Sequence, residues 1–365
     1  MLLTCFEGQS VQIFLMASSP NGYSDVDLTA FDRKKDHIEL AFKSRVTADQ
    51  LDQRFYYEPI FAAHPDGEPE PFSFLERTMH YPIWVSSMTG GTNWAGTINK
   101  NLARACGEFG FGMGLGSCRS LLTSDEHLGD FAVRDLMGDQ PLYANLGVAQ
   151  IEQLQDTQDV GRVYDLLEKL EADGLIIHIN PMQEALQPEG DRFGRSSLET
   201  ITRFVEDHPK IAVIVKEVGQ GMGIKSLEAL LKLPIVALDF AASGGTNFAL
   251  LELLRNTPEA QDTFAGLARV GHTAAEMVDF LKIAAENVGS ERKCRQIIAS
   301  GGIKDFLDGY YATEKINTMD NDLQAVYGQA SSFLKHARGE YEELRTYILA
   351  QLEGYRLAKA FLQVR

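Results

Sequence analysis

The chain has 365 residues, 44 % of them hydrophobic, with 34 lysines and arginines against 51 aspartates and glutamates and a formal charge of −17. That balance opposes nucleic acid and anionic membrane surfaces as partners, so a polyanionic ligand has to be held by a local cationic cluster and not by the field of the whole molecule. No apolar stretch reaches membrane-spanning length, and Cys5, Cys106, Cys118 and Cys294 are too scattered for a zinc site or a disulfide framework, which fits a reducing cytoplasm.

Residues 1–30 read as a poorly ordered tail, and the apolar patch Val11 to Met16 has no basic residues before it, as a secretory signal would. The basic run Arg33-Lys34-Lys35-Asp36-His37 follows. If Asp32 caps a helix there, Arg33 and His37 are four apart and Lys34 and His37 three apart, so they share one face. Such a face either clamps two phosphates or is simply solvated.

Eight apolar runs of strand length, most of them with β-branched residues, then each end in glycine and polar residues: Ile83 to Ser87, Gly112 to Leu115, Leu142 to Ala144, Leu175 to Ile177, Ala212 to Val215, Ile235 to Phe240, Gln296 to Ala299 and Leu323 to Tyr327. Between them Asn93 to Glu108, Val160 to Glu171, Ser196 to Glu206, Ile224 to Lys232, Thr273 to Asn287 and Lys304 to Tyr311 carry apolar residues at helical spacing. Gly107 and Gly110 read as the stop of the first of these helices. Alternating strand and helix predict a parallel sheet, and chemistry spread over every strand end predicts an α/β (β/α)₈ TIM barrel over 31–365. A doubly wound open sheet would concentrate its phosphate signal in one loop after the first strand. The segment Arg338 to Leu362 reads as a long C-terminal helix with Phe333, Leu334, Tyr341, Leu344, Ile348, Leu352 and Leu357 on its apolar side, able to close the barrel or pair subunits.

The strand ends hold the candidate chemistry. Ser300-Gly301-Gly302 and Gly328-Gln329-Ala330 follow the seventh and eighth strands, where barrels often bind phosphate; the alternative is a tight strand-to-helix turn. Lys216 ends an apolar strand, where its ammonium either reaches solvent or sits beside the electron-rich edge of a flavin. Thr89, Ser117, Asn145 and Thr246 offer polar partners around such a ring. In His178-Ile179-Asn180-Pro181-Met182-Gln183-Glu184, extended alternation points His178 and Asn180 the same way, and Pro181 turns Gln183 and Glu184 toward the rim. A strand histidine is commonly a hydrogen-bonded core residue, but two amides and a carboxylate within six residues favour a ligand site. Glu184 alone builds no protein-only metal cage; Mg²⁺ held with a diphosphate needs only one or two carboxylates. Arg119, after the second strand, can reach the same anion.

In this order, Arg33-Lys34 with His37, Met88-Thr89-Gly90-Gly91, Gly116-Ser117-Cys118-Arg119, His178 through Glu184, Lys216-Glu217-Val218-Gly219, Gly244-Gly245-Thr246 and Ser300-Gly301-Gly302 resemble the FMN-dependent type II isopentenyl-diphosphate isomerases over roughly residues 31 to 337. The resemblance implies diphosphate binding by Arg33, Lys34, His37, Ser117, Arg119, His178, Asn180 and Gln183, and magnesium binding by Glu184. It implies FMN contacts from Ser87, Met88, Thr89, Ser117, Asn145, Lys216, Thr246, Gly301, Gly302, Gln329 and Ala330, with Gln183, His178 and Lys216 as the catalytic set. The implied reaction is a 1,3-allylic proton shift between isopentenyl and dimethylallyl diphosphate, with NADPH priming the flavin, in a cytoplasmic homo-oligomer, a tetramer or octamer.

The chain departs from the family where Asn247-Phe248 stands near a usual tryptophan, where the stretch from Gly302 to Gly328 is longer, and where Ser331-Ser332 replaces an arginine-proline pair. Two rivals stand beside this expectation. A 2-hydroxy-acid oxidoreductase on the same barrel needs a histidine base and arginines after the sixth strand, and Ser243-Gly244-Gly245-Thr246 has neither. A non-catalytic FMN- or phosphate-binding barrel needs no second anion site such as His178, Gln183 and Glu184.

Overall fold

The computed structural model describes residues 30–87 and 93–365, which fall into two compact units, one up to Tyr56 together with Arg365 and the other Tyr57–Val364. Of the expected tail, residues 1–30, all but Ala30, and with them Cys5, lie outside the described residues.

In the first unit the helix Ala30–Leu40 carries Asp32 inside its first turn and not at a cap, so the expected capping role of Asp32 is corrected. Arg33, Lys34 and His37 are exposed on this helix. A short turn at Ala48–Gln50 follows, with Gln50 Oε1 accepting from the Thr47 backbone N–H at 3.0 Å.

The second unit is built on a closed barrel of eight parallel strands, here β1 (Ile83–Val85), β2 (Gly112–Gly114), β3 (Leu142–Gly147), β4 (Gly174–Ile179), β5 (Val213–Glu217), β6 (Ala237–Asp239), β7 (Gln296–Ser300) and β8 (Gln324–Gln329). The strands follow one another around the barrel in chain order, and β8 closes on β1 through Tyr327↔Ile83. That is the expected fold, and the run positions were right to within a few residues. The ends were not. Asn145, His178, Lys216 and Gln329 belong to β3, β4, β5 and β8, so four candidate residues stand on the rigid frame and not in the loops. Polar residues on a strand break an apolar pattern, and the apolar runs therefore stopped short of the true strand ends.

The lower end is plugged. Antiparallel strands Phe72–Phe74 and Arg77–Met79 form a hairpin whose Phe74, Leu75 and Met79 pack with Trp84, Tyr143, Ile176, Ile214, Ile298 and Val326 from the barrel interior. Two glutamines at the starts of their strands pin it: Gln296 Oε1 accepts from Leu75 N at 3.0 Å, and Gln324 Nε2 donates to Ser73 O at 2.8 Å. With one end filled by large side chains, only the carboxyl ends of the strands remain open to ligands.

The helix Asn93–Phe109 runs past Gly107, which is not a stop: a Cβ there would strike the Leu136 carbonyl, so this glycine lets a neighbouring segment approach. Gly110 does end it, with φ +73. The last long helix spans Tyr341–Phe361 with Tyr341, Leu344, Ile348 and Leu352 buried, while Phe333 and Leu334 fall on a separate short helix, Ser331–Ala337. It closes over the barrel's own helices: Gln351 Oε1 accepts from Phe306 N at 3.0 Å, and Glu108 accepts from Tyr341 Oη and Arg345 Nε, both at 2.6 Å. Among the described residues no helix is long and apolar enough to cross a membrane.

Candidate active site

Parallel pairing puts neighbouring residues of one register row on the same face of a barrel, which explains how distant parts of the sequence meet at the mouth. His178 pairs with Lys216, and Lys216 with Asp239, so a histidine, a lysine and an aspartate form one row across β4, β5 and β6. Two adjoining cavities open above it. The first is floored by Lys216 and ringed by the ends of β1, β6, β7 and β8, including Ser87, Thr246, Gly301, Gly302, Gln329 and Ala330. The second is lined by Ser117, Asn145, His178 and Gln183. Ser87, Lys216, Val218 and Phe248 belong to both.

Seven expected cofactor residues therefore meet in the first cavity, and Ser117 and Asn145 stand in the second beside His178 and Gln183. Met88 and Thr89 lie outside the described residues. Arg33, Lys34 and His37 belong to the other unit. Arg119 is exposed two residues beyond Ser117 and pairs with Asp191 at 2.9 Å.

His178 has a defined tautomer. Asn145 donates from Nδ2 to Leu115 O at 3.0 Å, which leaves its Oδ1 as the acceptor facing His178 Nδ1 at 2.7 Å. Nδ1 therefore carries the proton and Nε2 a lone pair. Burial, and next the charge on Lys216, push the His178 pKa from its ordinary 6.5 down to about 3. The ring is neutral at physiological pH.

That shift has a stability consequence. Between pH 6.5 and about 3 the unfolded chain binds a proton at this residue and the folded chain does not, so stability falls as pH drops through that window. The slope from this one group approaches about 1.4 kcal/mol per pH unit. In urea unfolding at pH 7 and pH 4.5, His178→Gln is expected to lose less stability on acidification than the parent; equal losses would show that His178 is not held neutral.

Lys216 is 8 % exposed and donates from Nζ to Glu217 O at 2.6 Å, with no ion pair among the described residues. Its neighbour Glu217 faces away: Oε2 accepts from the backbone N–H groups of Gly219, Gln220 and Gly221 at 2.7, 2.6 and 2.9 Å and so fixes the loop after β5. Burial raises the Glu217 pKa, against those hydrogen bonds. Asp239, fully buried, accepts from Ser300 Oγ and at 3.4 Å from Ala241 N. Burial raises its pKa, opposed first by the Lys216 charge.

Asn180 departs from expectation. It is the N-cap residue of the helix Pro181–Leu186, 2 % exposed, and its Nδ2 donates back to Gln183 Oε1 at 3.3 Å and Glu184 Oε1 at 2.8 Å. Strand alternation ends at Ile179, so Asn180 does not share the His178 cavity; a proline at the first helical position starts a helix and not a loop. Glu184, also buried, accepts at Oε2 from Asp191 N at 2.7 Å.

Buried side-chain polar atoms normally have partners, and one without a partner calls for an explanation, a bound ligand, ion or water among them. Ser86 Oγ, Ser87 Oγ, Asn180 Oδ1 and Asp239 Oδ2 are such atoms, and all stand at the carboxyl ends of the strands. The serine pair lines the first cavity, as expected of a polar-edged cofactor. Asn180 turns its Nδ2 and not its Oδ1 toward Glu184, so the Glu184 carboxylate is the hard oxygen donor here for Mg²⁺, to be completed by phosphate and water. Among the described residues no three His, Cys, Asp or Glu side chains gather as a metal cage. The residues present fit both groups.

Ser331 and Ser332, noted in the sequence only as a departure from the family, line the first cavity; Lys304, which also lines it, and Asp239 beside Lys216 in the register row were missed. A charged residue inside the apolar run Ile235 to Phe240 was the available signal for Asp239; nothing local distinguished Lys304 from other surface lysines.

A parallel barrel with a glycine-lined cavity fused to a second polar one defines an enzyme of the (β/α)₈ class. Solved structures of that fold align with it: a flavocytochrome b2 double mutant with pyruvate bound, TM-score 0.57 and 12 % identity over 84 % of this chain and 72 % of that one, and a mandelate oxidase variant with an FMN monooxide adduct, TM-score 0.53 and 12 % identity over 86 % and 89 %. At such identities the likeness is one of fold. No protein-family model matches the chain. Curated relatives are nearer: the isopentenyl-diphosphate delta-isomerase of Rickettsia felis (strain ATCC VR-1525 / URRWXCal2) is 36 % identical over 310 residues, 84 % of this chain and 85 % of the relative. That of Rickettsia typhi (strain ATCC VR-144 / Wilmington) is 33 % identical over 311 residues, 84 % and 86 %. The chain belongs to the isopentenyl-diphosphate delta-isomerase family.

Proposed function

We propose that the chain is the flavin-dependent, type II form of this isomerase, which shifts the double bond of isopentenyl diphosphate to give dimethylallyl diphosphate with no net redox change. The observation that carries the proposal is the pair of cavities sharing Lys216: one is lined by glycines and hydroxyls at the ends of β1, β6, β7 and β8, and the other presents His178 and Gln183 for a second ligand.

FMN is held in the first cavity by Ser87, Lys216, Thr246, Gly301, Gly302, Gln329 and Ala330, with Ser117 and Asn145 reaching it from the second cavity and Met88 and Thr89 as further contacts. When bound and reduced it supplies a proton-exchanging ring nitrogen, which the cavity's side chains do not, since protonating a C=C bond needs a stronger acid than an amide or a neutral imidazole. Lys304 with Ser331 and Ser332 serves the phosphate end, in place of the family's arginine-proline pair.

The side chains do the rest. The Lys216 ammonium fixes positive charge between the two cavities, where it stabilises negative charge on the cofactor. Asn145 locks His178 so that its Nε2 lone pair accepts a hydrogen bond, and Gln183 orients the same ligand. Arg119 and Ser117 meet the diphosphate, and Glu184 holds Mg²⁺ on it. Arg33, Lys34 and His37 share one face of the helix Ala30–Leu40 in the other unit, a cationic face able to take a diphosphate. The protein is a cytoplasmic homo-oligomer, tetramer or octamer, and NADPH serves only to load the cofactor with electrons.

The test is direct. Purified protein is expected to show an oxidised-flavin absorption in the visible, and to convert isopentenyl diphosphate with Mg²⁺ only after reduction. Conversion without flavin would overturn the proposal, and a yellow protein that yields no product when reduced would select a binding-only barrel.

A further inference from the structure

Asp191 ties together two groups that no register row connects. Its Oδ2 accepts from Arg119 Nη1 at 2.9 Å and from Gln150 Nε2 at 3.0 Å, and its own backbone N–H donates to Glu184 Oε2 at 2.7 Å. Gln150 is 5 % exposed and is itself anchored, since its Oε1 accepts from Gly147 N, the last residue of β3, at 3.0 Å. An aspartate held from three directions by a buried amide, a guanidinium and a carboxylate is a fixed strut. Arg119 is 56 % exposed and has this one ion pair among the described residues, so its remaining N–H donors stay available on the open side.

We propose that Asp191 is a positioning residue for the anion site: it aims the Arg119 guanidinium and holds the Glu184 carboxylate at a fixed place beside it, so that one diphosphate meets both the cation and the metal-binding oxygen. The inference rests on the reading of Arg119 and Glu184 as diphosphate and Mg²⁺ residues. Asp191 touches neither ligand. A free arginine on a surface loop loses side-chain entropy when it binds, and a partner that fixes it beforehand removes part of that cost. The alternative is a latch, in which the Asp191 carboxylate occupies Arg119 until a stronger anion displaces it. The second donor from buried Gln150 and the backbone bond to Glu184 argue for a strut, because neither would be released by a ligand that takes Arg119.

Inorganic diphosphate with Mg²⁺, titrated calorimetrically into the full chain loaded with FMN, separates these possibilities. Arg119→Ala is expected to weaken binding about tenfold, the size of one charged hydrogen bond. Asp191→Ala is expected to weaken it to a similar extent and to raise the Mg²⁺ concentration needed for half-saturation. The double variant is expected to bind hardly more weakly than either single one, since removing the aim of an absent arginine costs little. FMN retention serves as the control for folding, and Asp191→Asn, which keeps the shape without the charge, gives an intermediate loss if Asp191→Ala folds poorly. No loss in Arg119→Ala would instead refute the reading of Arg119 as an anion ligand. A loss in Arg119→Ala with none in Asp191→Ala, multiplying losses in the double variant, or tighter binding in Asp191→Ala would each overturn the inference.

Discussion

Lys216→Met is expected to lower isomerase turnover by about two to three orders of magnitude, the scale seen when a fixed charge or donor is removed from a water-excluded site. Methionine follows the path of the buried lysine stem with little change of volume, so the barrel is expected to keep its fold. What disappears is the single positive charge in the row His178, Lys216, Asp239. Three consequences follow from that one loss. If the chain holds FMN as proposed, the cofactor becomes harder to reduce and its potential moves to a more negative value. His178, whose pKa Lys216 helps to depress, titrates at higher pH and is read by imidazole NMR. Asp239 loses the cation that opposes its burial and becomes harder to ionise. Turnover within threefold of the parent, with an unchanged potential, would remove Lys216 from the chemistry. A lost potential with unchanged His178 titration would show that the charge acts on the cofactor alone.

The architecture was legible because each barrel strand is buried on both faces and reads as a short apolar run, and because helices between them carry a different period. The site was legible for a related reason: chemistry has to sit where the runs end. What could not be read was the point at which each run ends. His178 and Lys216 interrupt the apolar pattern at the very places where β4 and β5 continue, so a rule that ends strands at polar residues moves them into loops. Asn180 shows the opposite error, since alternation was carried one residue past the strand into a helix cap. Asp239 and Asp191 escaped notice because their meaning is relational. Asp239 matters through its register with Lys216, and Asp191 through bonds to Arg119, Gln150 and Glu184 that span up to 72 residues of sequence. No window of a single chain contains such partners together.

The glycine pair after β7 gives the second large effect. Gly301 has φ +87 and Gly302 φ +72, a region that costs a side-chain-bearing residue about 1–2 kcal/mol. A Cβ on Gly301 would also collide with the backbone N and O of Ala242, whose N–H donates to Ser300 O at 2.8 Å. Both sides of that collision are main chain, so neither can rotate away, and the loops after β6 and β7 must separate. Gly301→Ala is therefore expected to destabilise the protein by about 3 kcal/mol or more and to abolish retention of FMN through purification. Gly266→Ala is the control, because nothing lies within 4 Å of the added carbon and its φ is negative. If Gly301→Ala melted lower but held FMN as tightly as the parent, these glycines would be a turn and not a cradle. If it kept both stability and cofactor, the close approach of the two loops at the mouth would itself be wrong.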